Sequence, residues 1–344
     1  MGFTHFRKLI TVCFATLALS ETVSCARQRS FHSQLTSRTH QHSSVVVFGA
    51  SWADNAHPRP QKYAWTLKRP PYYGGRYSNG IIWAEYLTDG LLAEKKIPQF
   101  NYAYGGAVAN NDLTYTNEPD TKMQSNQYIS EVKNGTLNRG SGPVLHVWWI
   151  GINQMTQIWT DAIKKDPTMK QTETLENANF RVDQQITKLE SQLARVRSEY
   201  DVNNIPCNYL LLPIPPLETV LRFQFQAVKL ARNDAQLAKA YLNFVAELSH
   251  RYNEGILRLV SQLDLHLVTT GWVRTFDFES LWRSVIATPS EYGLEIVHEP
   301  CLQLVNGLQH VCSFPDKYLF WDTVHPTTAM HKIMAQKFLA IINS

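Results

Sequence analysis

The 344-residue sequence predicts an α/β fold of three layers (α/β/α), with a central, mostly parallel five-stranded sheet covered by helices on both faces. Three observations predict it. Short apolar runs rich in β-branched and aromatic residues recur at 45–48, 100–103, 144–150 and 209–212. Longer stretches with apolar residues at steps of three and four lie between them. Three of the runs stop in glycine-containing loops, at the edge where an open α/β sheet gathers its site.

Residues 1–26 have the parts of a secretory signal: basic Arg7 and Lys8, an apolar run over 9–19, and small residues at Ser24-Cys25-Ala26. Spanning a bilayer takes about 20 apolar residues, so that run is too short. Cleavage near Ala26 and a secreted, extracellular protein are expected, with lipid attachment at Cys25 as the alternative. Residues 27–44 are rich in Ser, Thr, His and Gln and read as a flexible lead-in, with His32, His40 and His42 as solvated linker histidines. Residues 45–344 read as a single domain, because no repeat or Ser/Thr-rich linker divides them. At 44% hydrophobic and 18% charged residues this is a globular composition, not a disordered or fibrous one. A formal charge of +4 without clustered Lys and Arg gives no support to a nucleic-acid partner. No stable membrane insertion is expected, and a monomer is.

The first element sets the site. Val45-Val46-Val47-Phe48 is a buried strand that breaks at Gly49-Ala50-Ser51, delivering a serine hydroxyl to the sheet edge. Ser51 is therefore the candidate nucleophile, against the plainer possibility of a turn serine. An aromatic and basic loop follows, with Tyr63, Trp65, Lys68, Arg69, Tyr72, Tyr73, Arg76 and Tyr77, long enough to wall a pocket. Residues 81–93 have helical periodicity. The run at 100–103 leads into Tyr104-Gly105-Gly106-Ala107, and the run at 144–150 into Gly151-Ile152-Asn153-Gln154. The run at 209–212 is stopped by Pro213, Pro215 and Pro216. Long stripes through Val182, Ile186, Leu189, Leu193 and Val196, and through Leu237, Tyr241, Phe244, Leu248, Tyr252, Ile256, Leu259 and Leu263, read as helices packed on the sheet. A fifth strand is expected at 267–270, with 273–276 as a second candidate.

An activated serine needs a base, an orienting acid and donors for the oxyanion. Asp322 and His325 stand in one short loop near the C-terminus, so Asp322 can turn back to hold the imidazole while its other nitrogen serves Ser51. Pro326 suits the first turn of a closing helix whose Met330, Met334, Phe338 and Ile341 face the sheet. The backbone amides of Ser51 and Gly106 and the side-chain amide of Asn153 are the candidate oxyanion donors. Once the signal is removed three cysteines remain. Cys301 with Cys312 is the most economical disulfide, and Cys207 then lies inert in a strand. Asn134-Gly135-Thr136 is a candidate glycosylation site. His146 reads as a core histidine, His57 as a loop histidine near the pocket mouth, and His331 as facing neighbours of the last helix. There is no metal-ligand cluster, and no cofactor is expected.

Together these residues resemble the SGNH, or GDSL-type, serine esterase and lipase superfamily. Phe48-Gly49-Ala50-Ser51 with Asp54 resembles its first block, 101–107 its second, Gly151-Ile152-Asn153-Gln154 its third, and Asp322-Thr323-Val324-His325-Pro326 its last. The resemblance implies a flavodoxin-like sheet, Ser51, His325 and Asp322 as catalytic residues, and Ser51, Gly106 and Asn153 as the oxyanion hole. Residues 75–80 and 312–322 further resemble secreted fungal carbohydrate acetylesterases, which implies an acetylated plant cell-wall saccharide as substrate; Trp52, Tyr73, Arg76 and Tyr104 are the expected pocket residues. A lipase, lysophospholipase or thioesterase on longer chains is the enzymatic alternative, and a non-catalytic glycan-binding protein the other. Two positions depart from the family pattern: Ala50 and Gln154 stand where carboxylates are usual, so loop geometry is expected to be tuned there.

Overall fold

The computed structural model describes residues 42–92, 96–201, 206–264 and 271–344. The signal-like segment with Cys25 and Ala26, His32 and His40, and the 267–270 strand candidate lie outside them. Residues at the end of the proposed lead-in are not solvated linker. Ser44 opens the first strand, and His42 is buried, accepting a hydrogen bond from Asn208 Nδ2 at 2.9 Å.

Five strands form the central sheet: β1 (Ser44–Gly49), β2 (Gln99–Asn101), β3 (Val144–Trp149), β4 (Cys207–Leu211) and β5 (Val273–Thr275). Their order is β2-β1-β3-β4-β5 and every pairing is parallel. The second of the two candidates is thus the fifth strand. Strands β1, β3 and β4 are buried at every position, so their sequences run largely apolar instead of alternating, with Ser44, His146 and Asn208 as buried polar exceptions. The chain leaves β1 for β2 on one side and then crosses to β3 on the other. The carboxyl ends of β1, β2 and β3 therefore surround a crevice at the switch in strand order.

The stripe at 81–93 forms only a single helical turn, α1 (Trp83–Tyr86), followed by a wider turn at Leu87–Leu91. Gly90, with φ at 117°, breaks the helix although the apolar spacing continues. Helix α2 (Thr121–Lys133) has no strong apolar stripe in its sequence; Asp120 caps it by accepting from Met123 N at 2.8 Å. Then come α3 (Ile152–Lys165), α4 (Thr172–Asp201), α5 (Leu221–Leu230), α6 (Ala235–Asp264), α7 (Phe278–Ala287) and α8 (Thr328–Ile342). The stripes of α4 and α6 are buried and the two helices pack together, which is what their periodicity requires. Helix α8 starts two residues beyond Pro326, which instead bridges to Phe320, and it buries Ile342 rather than Ile341 beside Met330, Met334 and Phe338.

Between α7 and α8 lies a small subdomain. Strand β6 (Ile296–Pro300) pairs in parallel with β9 (Tyr318–Phe320), and between them β7 (Leu302–Val305) and β8 (Leu308–Val311) form an antiparallel hairpin. Its two-residue turn is Asn306-Gly307, both with positive φ. A Cys301–Cys312 disulfide closes the base, and Cys207 is buried and unbridged.

Candidate active site

Strand β1 ends at Gly49 for a steric reason: a Cβ there would lie 2.4 Å from the Trp149 carbonyl oxygen. Beyond it a turn closed by Ala53 N donating to Ala50 O at 2.9 Å presents Ser51. Gln124 of α2 clasps the turn from below. Its Oε1 accepts from Gly49 N at 2.9 Å, and its Nε2 donates to Gly49 O at 3.0 Å.

Ser51 Oγ lies 2.8 Å from His325 Nε2, and His325 Nδ1 lies 2.8 and 2.9 Å from the two oxygens of Asp322. Asp322 also accepts from Val324 N at 2.8 Å, His325 N at 2.9 Å and Tyr72 OH at 2.8 Å. Burial opposes its charge. The imidazole and the backbone donors outweigh that opposition and hold the carboxyl below the usual carboxylate range. Asp322 is therefore an anion that keeps Nδ1 as the donor and turns Nε2 toward Ser51. Tyr77 packs on the imidazole with ring centroids 4.9 Å apart, and it fits only because residue 105 is glycine: a Cβ there would lie 2.1 Å from the ring.

The proposed oxyanion donors sit at the ends of β1, β2 and β3. Gly106, with φ at 89°, adopts a backbone conformation that favours glycine. Asn153 Nδ2 donates to Ala107 O at 2.8 Å, which ties the loop after β3 to the loop after β2 and leaves its second N–H for an oxyanion. Asn153→Ala is expected to lower kcat by about 10²- to 10³-fold with little change in KM, measured by steady-state ester hydrolysis.

Beneath this surface lies a buried charged pair, formed by Asp54 of the first block and Arg59. Asp54 is fully buried; its oxygens accept from Ala56 N at 2.9 Å and Gly105 N at 2.8 Å, and it pairs with the buried guanidinium of Arg59. Burial raises the Asp54 pKa, and Arg59 opposes the rise. Arg59 in turn lies over the Tyr104 ring, 4.4 Å from its centroid. Glu118 packs beside Gly106, its Cγ 3.4 Å from where a Cβ on that glycine would be. Burial lifts the Glu118 pKa to about 7, Arg59 works against the lift, and Asp54 adds to it. A carboxyl whose folded pKa exceeds its ordinary value of 4.5 takes up a proton on folding between those two pH values. Stability then falls as pH rises through that window. In calorimetry the fall in Tm from pH 5 to pH 7 is expected to be shallower in Glu118→Gln than in the wild type; equal slopes would refute the assignment.

The expected pocket residues are placed differently. Trp52 is buried in the main core against Trp149, Phe278 and Trp282, because the turn after Ser51 points it under the sheet edge. Tyr104 is buried beneath Arg59, His57 and Tyr63. Arg76 is committed to Glu85 by bonds of 2.7 and 2.5 Å, and Tyr73 lies half exposed beside it. From the same loop it is Tyr72 and Tyr77 that reach Asp322 and His325. At the two departures from the family pattern, Gln124 and Asp54 anchor the loops around Ala50. Gln154 is fully buried, with no hydrogen-bond partner for its amide among the described residues.

His146, His331 and His57 lie outside the triad. His146 lies in the core, 2.9 Å from Tyr128 OH, and burial depresses its pKa to about 3. His331 on α8 accepts from Trp83 N at 3.4 Å. His57 is also lowered to about 3, by burial and by repulsion from Arg59. Among the described residues no group of three His, Cys, Asp or Glu is placed to hold a metal ion, and no helix is long and apolar enough to cross a membrane.

Several known proteins are similar to this chain. The chain is 22% identical to the thermolabile hemolysin of Vibrio parahaemolyticus over 88% of its own length, and it spans 65% of that protein. It is 20% identical to the phosphatidylcholine-sterol acyltransferase of Aeromonas hydrophila, over 88% of this chain and 90% of the relative. A shorter stretch, 28% of this chain and 29% of the relative, is 30% identical to the GDSL esterase/lipase At2g04570 of Arabidopsis thaliana. Among solved structures, phospholipase A1 from Streptomyces albidoflavus matches 88% of this chain and all of its own, at 13% identity and a TM-score of 0.41. No fungal carbohydrate acetylesterase is among these relatives. Residues 45–338 match the GDSL-like lipase/acylhydrolase family, and the chain belongs to that family as an ester hydrolase.

Proposed function

We propose that the protein hydrolyses lipid esters of longer acyl chains. The observation that carries ester hydrolysis is the continuous chain from Ser51 Oγ through His325 to Asp322. His325 Nε2 takes the Oγ proton as Ser51 attacks the ester carbonyl. The amides of Ser51, Gly106 and Asn153 hold the tetrahedral oxyanion. His325 then gives its proton to the departing alkoxide, which leaves as the alcohol and an acyl-Ser51. Water, deprotonated by His325, attacks the acyl group, and the returned proton frees Ser51 with release of the carboxylic acid.

Two relatives aligned over nearly the whole domain support a lipid substrate, since their names describe hemolysis and acyl transfer from phosphatidylcholine. An acetylated saccharide is the weaker reading: it leans on a group resemblance and on the aromatic and basic loop over 63–77, whose Arg76 is committed to Glu85. Secretion is part of the proposal, supported by the signal-like residues 1–26 and by a disulfide of the kind that persists in oxidising compartments. The test compares kcat/KM for acetyl, octanoyl and palmitoyl esters and for phosphatidylcholine. A maximum at long chains is expected; a maximum at acetyl, with acetate released from acetylated xylan, would replace this substrate class by the saccharide one.

A further inference from the structure

Five of the thirteen exposed large hydrophobic residues among the described residues fall within eleven positions: Leu304, Val305, Leu308, Val311 and Phe314. Four of them are on the β7–β8 hairpin. In an antiparallel ribbon, residues directly opposite share a face. Leu304 lies opposite Gln309 and Leu302 opposite Val311, which puts Leu304 and Val311 on one face. Val305 lies opposite Leu308, on the other. Each face thus carries exposed apolar side chains, Leu304 at 73% and Leu308 at 66% exposure, and every residue of β8 is exposed. Residues 301–314 contain no Asp, Glu, Lys or Arg. A two-stranded ribbon is marginal in water by itself, and here the Cys301–Cys312 disulfide and the Asn306-Gly307 turn hold its two ends.

A protein surface or a second copy of the chain would cover one face of such a ribbon. An apolar medium covers both. The surroundings favour the same occupant. Residues 55–84 hold five basic residues and no acid. Arg59 and Arg76 are neutralised by Asp54 and Glu85; Arg69 is exposed just before Tyr72, and Lys68, half-buried, holds its ammonium 5.2 Å from the Tyr72 and Tyr77 ring centroids. Tyr72 packs on Cys301, Leu302 and Trp321 at the hairpin root, and its hydroxyl donates to Asp322. Leu302 N also donates to Trp321 O at 2.6 Å, one residue from Asp322. An uncharged apolar finger beside a basic rim, rooted next to the reacting groups, is the chemistry of an element that enters a lipid interface.

We propose that the Cys301–Cys312 hairpin docks the protein on a phospholipid surface, inserting Leu304, Val305 and Leu308 and bringing the Ser51 site to the lipid. The proposal rests on the lipid-ester reading above, and it is tested separately from it. Binding is measured with the catalytically silenced Ser51→Ala protein, by co-sedimentation with vesicles of phosphatidylcholine and phosphatidylglycerol. Adding Leu304→Gln, Val305→Thr and Leu308→Gln is expected to weaken binding at least tenfold. The same three changes with Ser51 intact are expected to leave hydrolysis of a dissolved short-chain ester within twofold, which shows that the domain is folded. Leu308→Trp supplies a second readout, with a blue shift of its emission expected when vesicles are added. Vesicle binding that the triple change leaves intact, or no blue shift, would overturn the docking role. So would loss of a dimer in the triple variant without any vesicle binding by the parent. Vesicle binding that needs the hairpin, with no release of fatty acid from the vesicles by the active enzyme, would uphold docking and remove the lipid-ester reading instead.

Discussion

Ser51→Ala lowers kcat for every ester the protein hydrolyses by about 10⁶-fold, the loss expected when the nucleophile of a triad acting as a unit is removed. The serine hydroxyl is 2.8 Å from His325 Nε2, and His325 is held in place by a carboxylate with three further contacts. Removing Oγ leaves the oxyanion donors and the imidazole in place but no atom to acylate. Stability should change little, by about 1 kcal/mol or less, because a single hydrogen bond is lost at the cleft. Steady-state kinetics, together with labelling by a fluorophosphonate probe, checks both parts. Activity retained within tenfold, or labelling undiminished, would place the nucleophile elsewhere.

Arg59→Met is expected to cost about 3–5 kcal/mol of stability, because it strands the buried carboxylate of Asp54. For a domain of this size that lowers Tm by on the order of 10 °C. The pH dependence follows from the sign of the Asp54 shift. Burial already raises that pKa and Arg59 counters the rise, so without Arg59 it climbs further and the unfolded state binds fewer protons than the native one over a wider range. The deficit of Arg59→Met against the wild type should therefore grow as pH rises from about 4 toward 8. Adding Asp54→Asn removes the stranded charge, and the double variant should recover much of the loss. Strict additivity in that cycle would show that the two groups are not coupled. Activity should fall as well, since Asp54 holds Gly105 N and with it the loop that carries Gly106.

Much of the fold was legible because it depends on local pattern. Fully buried parallel strands must be apolar without alternation, so β1, β3 and β4 stand out; the stripes of α4 and α6 do so for the same reason. Helix α2 was illegible because its polar sequence is stabilised by a cap and by packing rather than by a stripe. The hairpin was missed although Asn306-Gly307 between apolar residues is a turn signal, because its strands are only four residues long. Gln124 and Arg59 had no signal at all, and Tyr72 stood out only as one aromatic of a pocket-wall loop, not as a partner of Asp322. Each acts through a partner far from it in sequence, such as Asp322, which lies 250 positions beyond Tyr72.

The sequence by itself determined the α/β class, the glycine-ended strands and the order of Ser51, Gly106, Asn153, Asp322 and His325, since strand burial, tight turns and reactive side chains are properties of short segments. Only the tertiary structure decided what surrounds them. Trp52 and Tyr104 became core, Arg76 became the partner of Glu85, and Gln124, Asp54 and Arg59 anchor the loops around Ala50. The physical reason is that a side chain's neighbours, and hence its exposure, charge state and free donors, are set where distant segments meet at the ends of the strands.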